Sequence, residues 1–413
     1  SPRLWSYITS TTMGFRRIVV PLCLAASLLD GTAAFRAPAS LTSARLGARP
    51  ATCAARPASL GLRMGFFDGL AKAVNDGMTV QGATKPAAVD PSTFSGWIER
   101  SGMQAFTFDG VPAGEIPVSG AISMAGRQAG AKPKEKEGIF AMFNAEVLPP
   151  AKENQDGVLA IPNIYDGVGM YLVFDGHGEF GLSVSQWVEA NLPAYLAGAL
   201  AEGRAGELLN RVTDAYRLAD VALTEAIGYD QVEDSGTTAA CVMVKGTRIL
   251  VAGLGDSRVV LGVDNRDGTL GAQAVTLDQS PIVPAEEKRI IASGGEVRDE
   301  GTSGRIYAAG QPWPGLAVSR AFGDADAKQY GVTVDPQFIG WTARPGTDFC
   351  IILASDGVWN AIGNDAAVAI AADFRATKDS KAAAQAIVTQ SRLIWEELAR
   401  GRIDDITALV LYL

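Results

Sequence analysis

The sequence holds one histidine, His177, in 413 residues, and four cysteines with no two in a C-x-x-C pair. With so few nitrogen and sulfur ligands, a zinc site has almost nothing to build on. Cys23 and Cys53 lie in the first 64 residues; Cys241 and Cys350 sit in apolar runs, where a buried free thiol is expected rather than a ligand or a disulfide. The apolar run from Ile18 to Leu29 is only twelve residues, too short to cross a hydrocarbon core about 30 Å thick. From Gly31 to Phe67 there is no Asp or Glu at all, and beyond that stretch the imbalance reverses. Residues 1–64 carry eight Lys/Arg and one acid, which leaves 28 basic against 44 acidic side chains in the remainder, a formal charge of −16. A chain that acidic repels phosphate backbones, so no nucleic acid is expected among its partners, and any phosphate chemistry needs bound cations. What is present in ordinary amounts, 47% hydrophobic and 20% charged residues, describes a globular protein with a substantial core.

The N-terminus reads as an address. Met13 opens a segment with basic Arg16 and Arg17, the apolar run, and then the small residues Thr32-Ala33-Ala34, the layout of a cleaved signal peptide over about 13–34. After it, Arg36, Arg45, Arg49, Arg56 and Arg63 punctuate an Ala/Ser/Pro background, the composition of a transit peptide, over about 35–64. The pair, with Phe35 directly after the expected cut, resembles the bipartite leaders of algae with secondary red plastids and implies a plastid address. An Arg-rich tail on a secreted protein, or a cytosolic protein, is the alternative. No membrane-integral segment is expected in the mature chain, and a monomer is expected.

Residues 65–115 are Gly/Ala-rich with little sustained periodicity and read as an N-terminal extension; 116–413 reads as the main domain. Tyr171 to Phe174 suits a buried strand, and Glu207 to Ile227 puts Leu208, Val212, Tyr216, Ala219, Leu223 and Ile227 on one helical face that Gly228 ends. Thr237 to Val244 and Arg248 to Val263 read as consecutive strand runs across a Lys245-Gly246-Thr247 turn. Pro284 to Ser293 is a short helix, Phe349 to Ala354 a strand, Lys381 to Arg400 a long helix and Ile406 to Leu413 a final strand. Antiparallel strands with helices in separate blocks predict an α+β fold of two packed sheets with outer helix layers.

Asp175, Asp356 and Asp404 stand at strand ends beside small or turning residues, and Asp256 lies between two strand runs in Gly255-Asp256-Ser257-Arg258. Any one of them would by default cap a turn. Four at the ends of core strands strain that default. Carboxylates within ~4 Å repel by about 4 kcal/mol at an effective dielectric near 20, so converging them gains nothing unless cations bind. Oxygen ligands with glycines that expose carbonyls suit Mg²⁺ or Mn²⁺. His177, two residues after Asp175, is a candidate general acid for a leaving alkoxide.

Seven motifs in order resemble one family, the metal-dependent serine/threonine protein phosphatases of type 2C. They are Glu153-Asn154-Gln155-Asp156, Val173 to Gly181, Asp234 to Ala239, Gly255-Asp256-Ser257-Arg258, Leu316 to Asp324, Ala354 to Trp359, and Asp404-Asp405-Ile406-Thr407. The resemblance implies a four-layer α-β-β-α sandwich with a binuclear Mg²⁺/Mn²⁺ centre, whose bridging water attacks phosphoserine or phosphothreonine of phosphoprotein substrates without a phosphoenzyme. By position, Asp175 would bridge both ions, Gly176 would offer its carbonyl, Asp356 and Asp404 would hold one ion, and Asp156 would hold water at the centre. Asp256 matches an acid that helps bind a third ion in some relatives.

The departures fall at the edge of this pattern. Gln155 replaces a frequent Glu, and Asn360 replaces the usual Asp four residues after Asp356, which weakens a third ion site. Ala151 and Lys152 stand where the phosphate-binding Arg normally lies. Arg127, at the end of the first strand, either serves across an insertion or is an ordinary strand-end Arg. A catalytically silent relative, or an enzyme for small-molecule phosphates, is a competing reading.

Overall fold

The computed structural model describes residues 106–126, 153–201, 207–299, 304–398 and 403–413. The chain divides into two units, Ser1–Met78 and Thr79–Leu413, and every described residue belongs to the second. The expected leader, residues 65–105 of the expected extension, and Arg127 lie outside the described residues.

Two five-stranded antiparallel sheets carry the fold. The first runs in the order β1 (Val118–Met124), β16 (Ile406–Tyr412), β15 (Asp348–Ala354), β8 (Arg258–Asp264), β9 (Leu270–Ala274). The second runs β14 (Gln337–Thr342), β7 (Arg248–Leu254), β6 (Ala239–Lys245), β3 (Val168–Phe174), β2 (Gly157–Tyr165). All seven residues of β3 are buried, and a strand without a polar face needs cover on both sides. Its alternation shows the two covers. Met170, Leu172 and Phe174 share a cluster with Val184, Val188 and Leu192 of α1 (Gly181–Ala201) and Val212, Tyr216 and Leu223 of α2 (Leu208–Ile227). Tyr171 and Val173 instead meet Val259, Leu261, Ile351, Leu353, Leu409 and Leu411 of the first sheet.

The outer face of the first sheet is covered by α7 (Asn364–Asp373) and α8 (Ser380–Leu398), through Val368, Ala383, Ala384, Ile387 and Val388. The order is therefore helix, sheet, sheet, helix, as the resemblance implied. No helix among the described residues is long and apolar enough to cross a membrane.

Two features differ from the sequence reading. The run Arg248 to Val263 is two strands in different sheets, because the chain bends at Gly255-Asp256-Ser257, with Gly255 at φ +92°, and crosses from β7 to β8. The stretch 65–115 ends in residues that belong to the core. Phe106 is fully buried with Phe108 edge-on at 5.4 Å, and the Arg248 guanidinium lies 4.7 Å from the Phe106 ring centre. Phe106→Ala is expected to lower the unfolding free energy by about 3–5 kcal/mol, read from a urea transition. A change under about 0.5 kcal/mol would mean the segment is only draped on the body.

Beyond the sheets, α3 (Tyr229–Val232) follows α2, and α4 (Pro284–Ala292) starts at its Pro, as expected. Behind α4 lie β10 (Gly295–Asp299), β11 (Gly304–Ala308) and β12 (Pro314–Leu316). Glu286 of α4 is 1% exposed and accepts hydrogen bonds from Arg320 (2.6 and 3.0 Å), Arg289 (2.7 Å) and Ser319 Oγ (2.7 Å). Burial pushes this carboxyl up, but the two guanidiniums and the hydroxyl outweigh it and hold the group down at about 2. A depressed folded pKa contributes stability above the unfolded value of 4.5, lost as pH falls toward 2. The shift corresponds to about 3 kcal/mol. Denaturant midpoints at pH 7 and pH 3 should therefore differ more in the wild type than in Glu286→Gln.

Candidate metal centre

Antiparallel register brings the acids to one end of the sandwich. Gly157 of β2 stands opposite Phe174 of β3, so Asp156 and Asp175 leave the sheet side by side. Ala354 pairs with both Ala408 and Arg258, and Met124 with Ile406, which sets Asp356, Asp256 and Asp404 at the same end of the neighbouring sheet. Two surface concavities, one lined by Gly110, Lys245 and Asp166 and the other by Ile116, Arg344 and Leu413, lie at the opposite strand ends. The carboxylate end is where the chemistry gathers.

Burial pushes Asp175 well above the usual carboxylate range, and the charges of Asp156, Asp356, Asp404 and Asp256 push it further. Asp356 is raised in the same way, by burial and then by Asp256, Asp404 and Asp156, while a hydrogen bond with Asp175 works the other way. Asp156 is pushed up to about 7, by burial first, with the Thr407 and Ser355 hydroxyls opposing and Asp405 and Asp404 adding. Asp175 therefore feels the charge of each of the other four carboxylates named from the sequence.

Hydroxyls and backbone groups fix their carriers. Ser355 Oγ donates to Asp156 Oδ2 at 2.8 Å, whereas Asp156 Oδ1 is buried with no hydrogen-bond partner. The Asp175 N–H donates to Thr238 Oγ1 at 3.1 Å, and Thr238 Oγ1 meets Ser257 Oγ at 2.7 Å, beside Asp256. The Gly176 N–H bonds the Gln155 carbonyl at 3.2 Å, and Gln155 Nε2 donates to the Gly178 carbonyl at 3.0 Å, so Gln155 ties the Asp156 segment to the Asp175 turn. Asn360 Nδ2 donates to Asp356 Oδ2 at 2.8 Å; where an Asp would add charge, this amide offsets it.

His177 lies on a miniature sheet of β13 (Phe322–Gly323), β5 (Gly236–Thr237) and β4 (Gly176–His177). His177 pairs with Gly236, and Gly236 with Gly323. A Cβ on Gly236 would run into the Asp324 carboxylate. Glycine in the middle strand is thus what lets the His177 and Asp324 side chains meet across it, Nε2 to Oδ2 at 2.8 Å. Asp324 is 2% exposed and sits in the left-handed region at φ 50°, ψ 45°, just before α5 (Ala325–Lys328). Asp tolerates that conformation better than most residues, and backbone bonds from Asp324 N to the Ser235 carbonyl (2.9 Å) and from Lys328 N to the Asp324 carbonyl (3.0 Å) hold it there. Burial alone would lower the His177 pKa; the Asp324 charge and hydrogen bond, the Asp256 charge and the Asp175 carbonyl more than offset it, and the net shift is upward.

Two residues essential to this arrangement went unmarked in the sequence. Asp324 was only the last letter of a motif. Asp405 was read as the neighbour of Asp404, yet its Oδ1 accepts the Gly126 N–H at 2.6 Å and its Oδ2 the Gln155 N–H at 3.1 Å. The signal for Asp405 was the doubled acid at a strand start, since one side chain of such a pair turns inward. Nothing near Asp324 in sequence signals that its partner lies 147 residues away.

The donor set fits a hard divalent cation: oxygens only, a buried carboxylate oxygen without a partner, and carboxylates whose charges press on one another. Among the described residues no group of three His, Cys, Asp or Glu side chains is placed to hold a metal ion as it stands.

The protein phosphatase 2C family model matches residues 142–394, more than half of the chain. The chain belongs to the protein phosphatase 2C family. The matched residues include Asp156, Asp175, His177, Asp256, Asp324 and Asp356, and Asp404 lies beyond their end. Probable protein phosphatase 2C 72 of Arabidopsis thaliana is 33% identical over 278 residues, 63% of this chain and 81% of its own. Probable protein phosphatase 2C 64 of Oryza sativa subsp. japonica is 35% identical over 276 residues, 63% of this chain and 62% of its own. Among solved structures, a serine-threonine phosphatase 2C from Toxoplasma gondii aligns with a TM-score of 0.58 at 23% identity, covering 73% of this chain and 97% of that one. The likeness supports the α+β sandwich. As a member of the phosphatase 2C family the protein is a phosphoric monoester hydrolase, and the family is metal-dependent.

Proposed function

We propose that this phosphatase 2C removes phosphate from phosphoserine and phosphothreonine of protein substrates at the Asp175 end of the sandwich, with two Mg²⁺ or Mn²⁺ ions. The observation that carries this reading is the convergence of Asp156, Asp175, Asp256, Asp356 and Asp404, all half-buried, at one end of the two sheets, where their charges repel. When bound, the ions would lower the pKa of a water so that it could serve as the nucleophile, and would neutralise phosphoryl charge. Asp175 would hold both ions, the Gly176 carbonyl would add a ligand, Asp356 and Asp404 would hold one ion, and Asp156 would orient water. Asp256 is the ligand left for a third ion, and the Asn360 amide on Asp356 argues against one.

His177 is our general acid. Its raised pKa favours the protonated ring, and Asp324 fixes its orientation, so it can give a proton to the departing serine or threonine oxygen. Arg127 is our candidate for gripping the phosphate, since it follows Gly126, whose N–H Asp405 pins beside Asp404. We also propose that the protein acts as a monomer and reaches a plastid; a fluorescent fusion of residues 13–64 retained in the cytosol would refute that address.

The direct test is phosphate release from phosphoserine and phosphothreonine peptides by the purified chain with Mn²⁺. Asp356→Asn is expected to abolish release. Equal rates for the two proteins would end the proposal.

A further inference from the structure

The C-terminal half of α8 makes two polar contacts that packing alone does not call for. The helix is already seated by Ala383, Ala384, Ile387 and Val388, all fully buried against the first sheet. Further along, Arg392 and Trp395, three residues apart and so on one helical face, each donate to a backbone carbonyl at the carboxylate end. Trp395 Nε1 donates to the Gly357 carbonyl at 2.7 Å, one residue after Asp356. Arg392 Nη1 donates to the Ala125 carbonyl at 3.1 Å, while its Nε bonds Glu396 Oε1 at 2.9 Å.

Ala125 is one residue before Gly126, whose N–H is held by Asp405 Oδ1. Asp405 also holds the N–H of Gln155, which precedes Asp156, and it follows Asp404 directly. Trp395 thus reaches the segment of Asp356 through one carbonyl, and Arg392 reaches those of Asp404 and Asp156 through Ala125, Gly126 and the Asp405 carboxylate. These segments come from three distant parts of the chain and repel one another through their carboxylates. A rigid rod bonded to their rims limits how far that repulsion can spread them.

We propose that Arg392 and Trp395 are positioning residues for the divalent-cation centre, acting through the Gly357 and Ala125 carbonyls to hold its ligand segments at binding distance. The inference rests on the metal-centre reading above. Partners bonded directly to metal ligands typically change affinity by about 10–100-fold; these two act one step further out, so the lower end of that range is expected. Neither residue touches a carboxylate of the centre, so the effect is on affinity, not on the chemistry once the ions are bound.

The experiment is calorimetric titration of Mn²⁺ into the full chain, with melting curves in chelator, for wild type, Trp395→Phe, Arg392→Met, Arg392→Lys and Asp356→Asn. Trp395→Phe keeps the ring and removes only the N–H. It is expected to weaken Mn²⁺ binding about tenfold, with chelator melting temperature nearly unchanged and turnover recovered at high Mn²⁺. Arg392→Met should behave alike, and Arg392→Lys, which retains a donor, should recover part of the affinity. A lower melting temperature with wild-type affinity would overturn the inference and leave an ordinary packing role. If Asp356→Asn loses Mn²⁺ while Trp395→Phe and Arg392→Met bind like wild type, the inference fails alone and the metal centre stands. If the wild type binds no Mn²⁺, both fall.

Discussion

Asp175→Asn is expected to abolish Mn²⁺-dependent turnover and, in the same protein, to raise the melting temperature measured in chelator. The two effects have one cause. Asp175 is half-buried, and burial first, then the charges of four neighbouring carboxylates, push its pKa well above normal. A folded pKa above the unfolded value means that stability is lost as pH rises from the unfolded value through the folded one. Asp156, pushed from 3.8 to about 7, adds a loss of its own that runs up to neutrality, and a shift of that size amounts to a few kcal/mol. In chelator the wild type should therefore lose stability between about pH 4 and pH 8, and Asp175→Asn should lose less. At pH 8 the variant should melt several degrees higher, and near pH 4 the gap should close. Activity should fall by at least about a thousandfold, the result of losing several kcal/mol of transition-state stabilisation. A variant less stable than wild type at pH 8 would mean the acids do not repel as described.

His177→Ala should reduce turnover of phosphoserine peptides by about 10²–10⁴-fold, the range for a lost general acid. Turnover of aryl phosphates should change far less, because a phenolate leaves without help. Asp324→Asn separates orientation from proton supply. The raised His177 pKa keeps the acid form present to higher pH, and activity on poor leaving groups falls as pH rises through that value. Without the Asp324 charge the fall should move to lower pH, with aryl phosphate turnover nearly level. Equal losses on both substrates for His177→Ala, or an unmoved pH profile for Asp324→Asn, would remove the general-acid role.

Much of the fold could be read from the chain because its strands are apolar on both faces and its helices on one. Val168–Phe174 and Ile406–Tyr412 have no polar face to confuse their reading, and the one-sided pattern of Leu208–Ile227 is plain. The bend at Gly255-Asp256-Ser257 was harder, since apolar residues on both sides hide a change of sheet. Phe106 and Phe108 were hidden by the Gly/Ala-rich stretch before them; two aromatics can anchor a segment that has no periodicity.

The site divides in the same way. Acids beside glycines at strand ends show in sequence because few other positions tolerate them. The contacts that aim those acids do not show, because they join residues far apart in the chain. His177 and Asp324 meet only because Gly236 lies between them on a two-residue strand, and Asp405 reaches Gly126 across 279 positions. Composition cannot report a distance of that kind. Asn360 was legible as a departure, but its hydrogen bond to Asp356 needed coordinates.

The central claim is that the converging aspartates form a centre for divalent cations, and the most direct measurement is the stoichiometry of Mn²⁺ bound to the full chain at pH 7.5. The account predicts two tightly bound ions per wild-type chain and loss of the pair in Asp175→Asn. No binding by the wild type, or the same two ions in the variant, would contradict it.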